Sequence, residues 1–488
     1  MGDSLRLEIR NTSKGARWVA AVIATAGAIL AYQLVLPPVV GLADEGDFLR
    51  TIGRFGYGPQ HKGRLEYAFV EPKYVPDPHY RNPYWEQANS EYLFVGAALV
   101  LNKLVSKDGA LDITVVGVVH ALAFLAAFGN LLWVTRESRG RLLLWAGALV
   151  ALTDSGYVVF WNSLYTEPAS CIFLLLLLGE SAVIAKAADV TEASLLRWSA
   201  WSFLLVFSKF QNAPLGLILG LFALRMAAWT RTRRARTVAA LGAGAILGCT
   251  VYDVAAMPAR WSMAVAYNMV FSGILPESRD PHADLRALGL DPRFAAYAGT
   301  GAWSPATRFP DLVASGVLGG GDVTTFTVVR FYLRRPARLW RRLHTLLPAI
   351  GPLRLDGYGN FEPSAGLPNT LSRAFGLWSA FHAHVLTPCG KWILFALAAW
   401  PIISVWRWAH KRHQADRRRL ELVVLLPVGC LAALLTAVFG DAFDLVRHLY
   451  LFHLLLDACV IFAAARAGVA LQVLCERTTF APARQRSP

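Results

Sequence analysis

Trp18 to Leu36 reads WVAAVIATAGAILAYQLVL, and Pro37-Pro38-Val39-Val40-Gly41-Leu42-Ala43-Asp44-Glu45-Gly46-Asp47-Phe48 follows it. The first stretch carries no charge and is long enough to cross a bilayer as a helix. Its exit is two prolines rather than a small-x-small cleavage site, so it reads as a retained helix and not as a removed signal peptide. It therefore delivers three carboxylates, Asp44, Glu45 and Asp47, to the membrane surface within four residues.

The rest of the chain agrees with a lipid setting. Of 488 residues, 55% are hydrophobic and only 17% charged, against about 25% charged in an ordinary soluble domain. Mean hydropathy is +0.41. These values exclude a disordered chain, a disulfide-stapled secreted domain and a typical cytosolic enzyme. The net charge of +15 is spread as short clusters between apolar runs, not gathered on one domain, so it argues against nucleic acid as a partner and for the positive-inside pattern. Six cysteines lie mostly in or beside apolar runs and none forms a CxxC, so they read as small buried hydrophobes.

Ten stretches are apolar enough to span: Trp18–Leu36, Ile113–Val134, Leu142–Phe160, Ala169–Ala185, Leu195–Phe207, Ala213–Trp229, Val238–Met257, Trp392–Trp408, Leu422–Phe439 and Leu449–Ala465. An eleventh, Glu91–Val105, is ambiguous. If it spans, Arg136, Arg139 and Arg141 fall outside. If it lies on the surface, these arginines, the N-terminal Arg6, Arg10, Lys14 and Arg17, Arg231 to Arg236 and Lys411 to Arg419 all fall inside, so it is read as interfacial. The fold class is then an all-α polytopic membrane protein of about ten transmembrane helices. Residues 1–36 hold the cytoplasmic N-terminus and first helix. Residues 37–112 form a first outer loop, 113–257 carry helices two to seven, 258–391 form a large outer loop, and 392–488 carry the last three helices and a basic cytoplasmic tail. Twelve of the 25 prolines fall in 258–391, which predicts an irregular loop domain with short helices.

Under this topology the unusual polar residues gather on one face. Three crowded carboxylates, Asp44, Glu45 and Asp47, repel unless a cation or cationic partner offsets them; Asp47 could instead cap a surface helix over Phe48–Gly53. Asn162-Ser163-Leu164-Tyr165-Thr166-Glu167-Pro168 places Glu167 at the mouth of a helix that Pro168 can begin. Asp154, inside an apolar stretch, is a costly carboxylate of the kind that tends to be functional. Lys209-Phe210-Gln211-Asn212 is a polar break where Lys209 either binds an anion or snorkels. Asp441-Ala442-Phe443-Asp444-Leu445-Val446-Arg447-His448 sets Arg447 beside His448, which suits a phosphate, or sets an Asp444–Arg447 cap. Arg330 to His344 places Arg334, Arg338, Arg341 and Arg342 on one side of an amphipathic helix facing anionic headgroups or a lipid-linked phosphate. Gly216-x-x-x-Gly220 and Gly242-x-Gly244-x-x-x-Gly248 read as helix packing. No nucleotide-binding fingerprint is present.

This layout resembles the GT-C superfamily of polytopic glycosyltransferases, which take sugars from polyprenyl-phosphate carriers. Asp44-Glu45-Gly46-Asp47 occupies the place of the family's acidic first-loop motif, and Trp85–Val105 that of its surface helices. Asn162 to Pro168 is similar to its polar motif between helices three and four, and Arg447-His448 to its late outer arginine. Tyr267 to Pro276 faintly resembles the bacterial surface-glycan hexosyltransferases of this group. The chain shows no clear large C-terminal soluble domain of the oligosaccharyltransferase kind, which disfavours a protein acceptor.

The resemblance implies an inverting transfer at the periplasmic face of a bacterial inner membrane. An acceptor hydroxyl, on a glycan or a lipid-linked acceptor, attacks the anomeric carbon and a carboxylate takes its proton. Asp44, nearest the membrane exit, is favoured as base over Asp47, with Glu45 orienting the acceptor or a cation. Arg447, His448, Lys209, Arg334 and Arg338 are candidates for the donor phosphate; Tyr165, Glu167, Asn162, Asp154 and Gln211 for substrate contacts. Asp44 and Asp47 could also hold a divalent cation, Mg or Mn; some members of the family need none. Competing readings are a transporter or flippase of lipid-linked sugars, a polymerase or ligase using a lipid-diphosphate glycan, and a structural scaffold.

Overall fold

Eight helices are long and apolar enough to cross a membrane among the described residues: Gly15–Leu34, Ile113–Thr135, Glu167–Lys186, Phe210–Ala227, Arg233–Ala255, Gly390–Ala409, Gln414–Gly440 and Tyr450–Glu476. The computed structural model describes residues 2–61, 67–81, 87–318, 323–440 and 445–479, with side chains from residue 15 to 476. Polar caps set several helix starts. Asp112 accepts from the Thr114 amide at 2.8 Å before Ile113–Thr135, and Thr232 from the Ala235 amide at 3.1 Å before Arg233–Ala255. Each satisfies a donor that a helix start leaves open.

Two expected spans are helices too short to stand among these eight. The stretch Leu142–Phe160 is helical only over Arg141–Leu152, about 18 Å at the α-helical rise. Asp154 then leaves the helix, accepts the Gly156 amide at 2.8 Å and starts a separate turn over Ser155–Val158. The carboxylate, not hydrophobicity, decides where this helix stops. The stretch Leu195–Phe207 belongs to the 15-residue helix Glu192–Val206. The ambiguous segment forms a 14-residue helix, Tyr92–Val105, about 21 Å long. It buries Phe94, Val95 and Ala98 while leaving Leu93, Val100, Leu104 and Val105 exposed.

The helices pack into one main core. Ile113–Thr135 lies against Glu167–Lys186 and against the first helix. Arg233–Ala255 lies against Ala213–Ala227 and Glu192–Val206, and Gln414–Gly440 against both Gly390–Ala409 and the last helix. Three short strands are an addition to the all-α expectation. Tyr57–Pro59, Lys73–Pro76 and Leu111–Asp112 pair antiparallel, with Gly58 opposite Val75 and Tyr74 opposite Leu111. They close the first loop onto the start of the Ile113–Thr135 helix.

The long segment 258–391 does fold as short helices. Ala259–Tyr267, Pro281–Leu288, Phe309–Ala314 and Thr325–Leu333 surround a second core of Phe271, Leu285, Phe309 and Val328. The arginine-rich run expected as one amphipathic helix is two, because Pro336 begins a new helix, Pro336–Ile350, after Thr325–Leu333. Proline lacks the amide and the ring space needed to continue the preceding turns. Tyr267 to Pro276 is largely a buried π-helical stretch, Asn268–Ile274. Cys171, Cys249, Cys430 and Cys459 are buried as expected, but Cys389 and Cys475 are exposed.

Candidate active site

The acidic loop is held by main-chain bonds and one asparagine. Gly41 donates to the Asn360 carbonyl and Ala43 to the Gly359 carbonyl, both at 3.0 Å. Asn162 Nδ2 donates to the Leu34 carbonyl at 3.0 Å and to the Val40 carbonyl at 2.8 Å. Leu34 ends the first helix, so one amide joins that end to the segment leading into Asp44. Glycines make room for it: a Cβ at Gly41 would lie 2.7 Å from the Asn162 carbonyl, and one at Gly117 would lie 1.8 Å from Asn162 Oδ1. Asp44 itself turns the chain, its Oδ1 accepting from the Gly46 amide at 2.7 Å and the Phe48 amide at 3.2 Å. Asp47 does not cap the helix that follows, the single turn Leu49–Ile52, whose start at Phe48 has no side-chain cap.

Arg447 is the hub of the site. It is buried, at 6% exposure, and reaches back 400 residues. One guanidinium nitrogen meets Asp47 Oδ2 at 2.7 Å and the other pairs with Glu45. Its Cζ lies 4.9 Å from the centre of the Tyr165 ring, within cation–π range. The other oxygen of Asp47 meets Arg50 at 2.6 Å, and Arg50 stacks on Trp261, Cζ to centroid 3.4 Å. Glu45 Oε2 accepts from the Tyr358 hydroxyl at 2.5 Å. Burial alone would raise the Asp47 pKa; the guanidiniums of Arg50 and Arg447 outweigh it and hold the carboxyl well below the usual range.

Beside this hub Glu167 begins the Glu167–Lys186 helix, with Pro168 in its first turn as the sequence predicted. Its Oε1 takes Lys209 Nζ at 2.6 Å, while its buried Oε2 has no hydrogen-bond partner among the described residues. Asp47, Arg50, Glu167, Lys209, Arg447 and Trp261 line one cleft of about 610 Å³, its open mouth included. Lys209 thus meets a carboxylate rather than the membrane surface. Gln211 Nε2 lies 2.6 Å from His448 Nδ1, and both line a neighbouring hollow that shares Glu167 and Lys209.

The carboxylates do not fit a divalent metal in this arrangement. Asp47 faces two guanidiniums, Glu45 faces Arg447 and Tyr358, and Asp44 Oδ1 serves two amides. Among the described residues no group of three or more His, Cys, Asp or Glu side chains is placed to hold one ion.

Of the residues singled out from sequence, Asp47, Tyr165, Glu167, Lys209 and Arg447 line the cleft; Glu45 joins it through Arg447, Asp44 and Asn162 shape the loop, and Gln211 and His448 lie next door. Three are elsewhere. Asp154 binds the Ser379 amide at 2.9 Å and the Ser379 hydroxyl, pinning two segments together. Arg338 pairs with Asp284 and donates to the Glu277 carbonyl at 3.1 Å, and Arg334 is exposed. Asp441, Asp444 and Trp85 lie outside the described residues, so the Asp444–Arg447 cap does too. Sequence reading missed Arg50, Trp261 and Tyr358. Arg50 stands three residues after Asp47, a helical spacing that could have flagged it; the other two carry no such signal.

An α-helical bundle with a buried, charge-dense cleft at one end defines a multi-pass membrane protein with an enclosed polar site. Residues 7–485 match the family described as the YfdI N-terminal transmembrane domain. The chain belongs to that family. Among solved structures it is similar to the archaeal oligosaccharyltransferase AglB from Archaeoglobus fulgidus in complex with an inhibitory peptide and a dolichol-phosphate: identity 13%, TM-score 0.39, covering 96% of this chain and 53% of that one. The Archaeoglobus fulgidus oligosaccharyltransferase in the apo form gives 12%, 0.37, 93% and 52%. The chain thus spans about half the length of these proteins, and at such scores the likeness says nothing of activity. No match was found among curated protein sequences.

Proposed function

We propose that the protein is a glycosyltransferase that moves a sugar from a polyprenyl-phosphate donor to a glycan or lipid-linked acceptor. The reading places the cleft at the periplasmic face of a bacterial inner membrane with both termini cytoplasmic. The observation that carries it is Arg447, buried between the first-loop acids and facing a cleft that also holds Lys209 and Glu167. A phosphate at Arg447 would compete with Asp47 and Glu45 for the guanidinium, since both groups use the same donors. The acceptor oxygen then bonds to the anomeric carbon as the bond from that carbon to the phosphate oxygen breaks. The lipid phosphate leaves with the electron pair, steadied by Arg447 and Lys209. A first-loop carboxylate receives the hydroxyl proton. We assign that role to Asp44, because Asp47 and Glu45 are paired with guanidinium, and the guanidiniums hold the Asp47 carboxyl well below the usual range, which makes it a poor proton acceptor.

The test is turnover of synthetic polyprenyl-phosphate sugars with glycan acceptors by purified wild type, Asp44→Asn and Asp47→Asn, reading product mass and free lipid phosphate. Transfer that falls by roughly 10²–10⁴ in Asp44→Asn with the fold intact supports the assignment. Equal activity in all three proteins removes the first-loop base. Translocation of the donor without bond formation would replace the transferase with a flippase.

A further inference from the structure

The segment 161–169, which carries Tyr165 and Glu167 into the cleft, is gripped at both ends by two side chains outside it. At its start, His120 Nδ1 lies 2.9 Å from the Trp161 carbonyl oxygen. At its end, the Ala169 amide donates to Glu91 Oε2 at 3.2 Å. The two grips are joined, because Glu91 Oε1 lies 2.5 Å from His120 Nε2. Both side chains are fully buried, 0% exposed. They come from different elements: Glu91 precedes the Tyr92–Val105 helix, and His120 sits inside Ile113–Thr135.

Hydrogen-bond accounting fixes most of the protons. A carbonyl only accepts, so His120 Nδ1 carries a hydrogen. An amide only donates, so Glu91 Oε2 is an acceptor. One proton is left for the line between Oε1 and Nε2. It sits either on the carboxyl, beside a neutral imidazole, or on the imidazole, beside a carboxylate. All three bonds survive in both cases, and the pair is neutral overall, which is the arrangement a buried site tolerates.

We infer that Glu91 and His120 are positioning residues: a joined clamp that sets the place of the 161–169 segment, and through it the Tyr165 ring against Arg447 and the Glu167 carboxylate against Lys209. Neither residue lines the cleft and both are fully buried, so neither is placed to touch a substrate there. The inference uses the proposed activity only for its second readout.

The accounting also names the conservative variant. In Glu91→Gln the amide oxygen can take the Ala169 amide and the amide nitrogen can donate to a neutral His120 Nε2. All three bonds remain. Glu91→Ala loses the Ala169 end, and His120→Phe loses the Trp161 end while keeping a ring in place. Full-length protein in lipid nanodiscs would be compared by backbone hydrogen exchange, with binding of a polyprenyl phosphate as the second measurement. Expected is at least tenfold faster exchange in Glu91→Ala confined to residues near 167–170, and in His120→Phe confined to residues near 161–165. Glu91→Gln should stay within about twofold of wild type. Binding of the polyprenyl phosphate should weaken in parallel in the first two and be kept in the third.

Unchanged exchange in this segment in both Glu91→Ala and His120→Phe would overturn the clamp. So would exchange raised evenly through the whole protein, which marks ordinary core damage. A Glu91→Gln protein as loose as Glu91→Ala would overturn the bond accounting on which it rests. Should Glu91→Ala not fold, His120→Phe against Glu91→Gln decides alone. Localised loosening in a protein whose wild type binds no polyprenyl phosphate would uphold the clamp and count against the proposed donor.

Discussion

Two regions of this molecule use arginine against carboxylate, with different results. Around the second core, Arg342 takes Glu277 at 2.7 Å and Arg338 takes Asp284, so the Pro336–Ile350 helix is stitched to residues 277–284. At the cleft, Arg447 takes two carboxylates and an aromatic face, and Asp47 takes two guanidiniums. The first pattern fastens one element to another. The second concentrates charge of both signs beside a hollow. Arginine chemistry is the same in both, and at Arg447 it stands on the lining of a hollow.

The comparison breaks most visibly at Arg447. Replacing it with Ala leaves Glu45 and Asp47 buried without their shared partner, which should cost about 3–5 kcal/mol and abolish transfer. Thermal unfolding in detergent and product mass read the two effects. Lys209→Met comes next: it strips Glu167 of its ion-pair partner at 2.6 Å. Polyprenyl-phosphate affinity should drop by about tenfold, a loss of some 1.4 kcal/mol, measured by equilibrium binding. Arg338→Ala sharpens the contrast, since it should lower stability by about 1–2 kcal/mol while turnover stays within twofold.

Acid offers a subtler separation. The folded pKa of Asp47 lies below its ordinary 3.8, so its pairing contributes fully above that value and is lost as pH falls below it. Wild type and Asp47→Asn should therefore differ in unfolding temperature by a constant amount near neutrality and converge below about pH 4. A gap that widens on acidification would contradict the pairing. The smallest effect belongs to Arg334→Gln, an exposed site, expected within about 0.5 kcal/mol of wild type and without effect on transfer.

Local rules made much of this readable in advance. Charge-free runs of the right length mark the spans, Pro168 marks a helix start, and crowded acids after the first helix mark the loop that enters the cleft. What stayed hidden is long-range. Tyr358 reaches Glu45 across 313 residues, and Trp261 meets Arg50 only because the second loop folds back over the first. Arg447 and Arg338 look alike as arginines among apolar neighbours, and only the packing of their surroundings separates a cleft residue from a fastener. Asp154 shows the same limit: its place in an apolar run does not reveal that it ends a helix and accepts the Gly156 and Ser379 amides and the Ser379 hydroxyl.

Asn162 has a consequence for chain length. Its one amide group spans from the last turn of the first helix to Val40, so the residues between Leu34 and Val40 form a closed ring with no slack. Point substitutions at the exposed positions in that ring should leave both bonds in place, whereas adding or removing a single residue should break one of them, because either the helix end or the segment that leads to Asp44 must then let go. The stretch tolerates change in spelling and not in count, so the number of residues between the membrane helix and the acids works as a ruler.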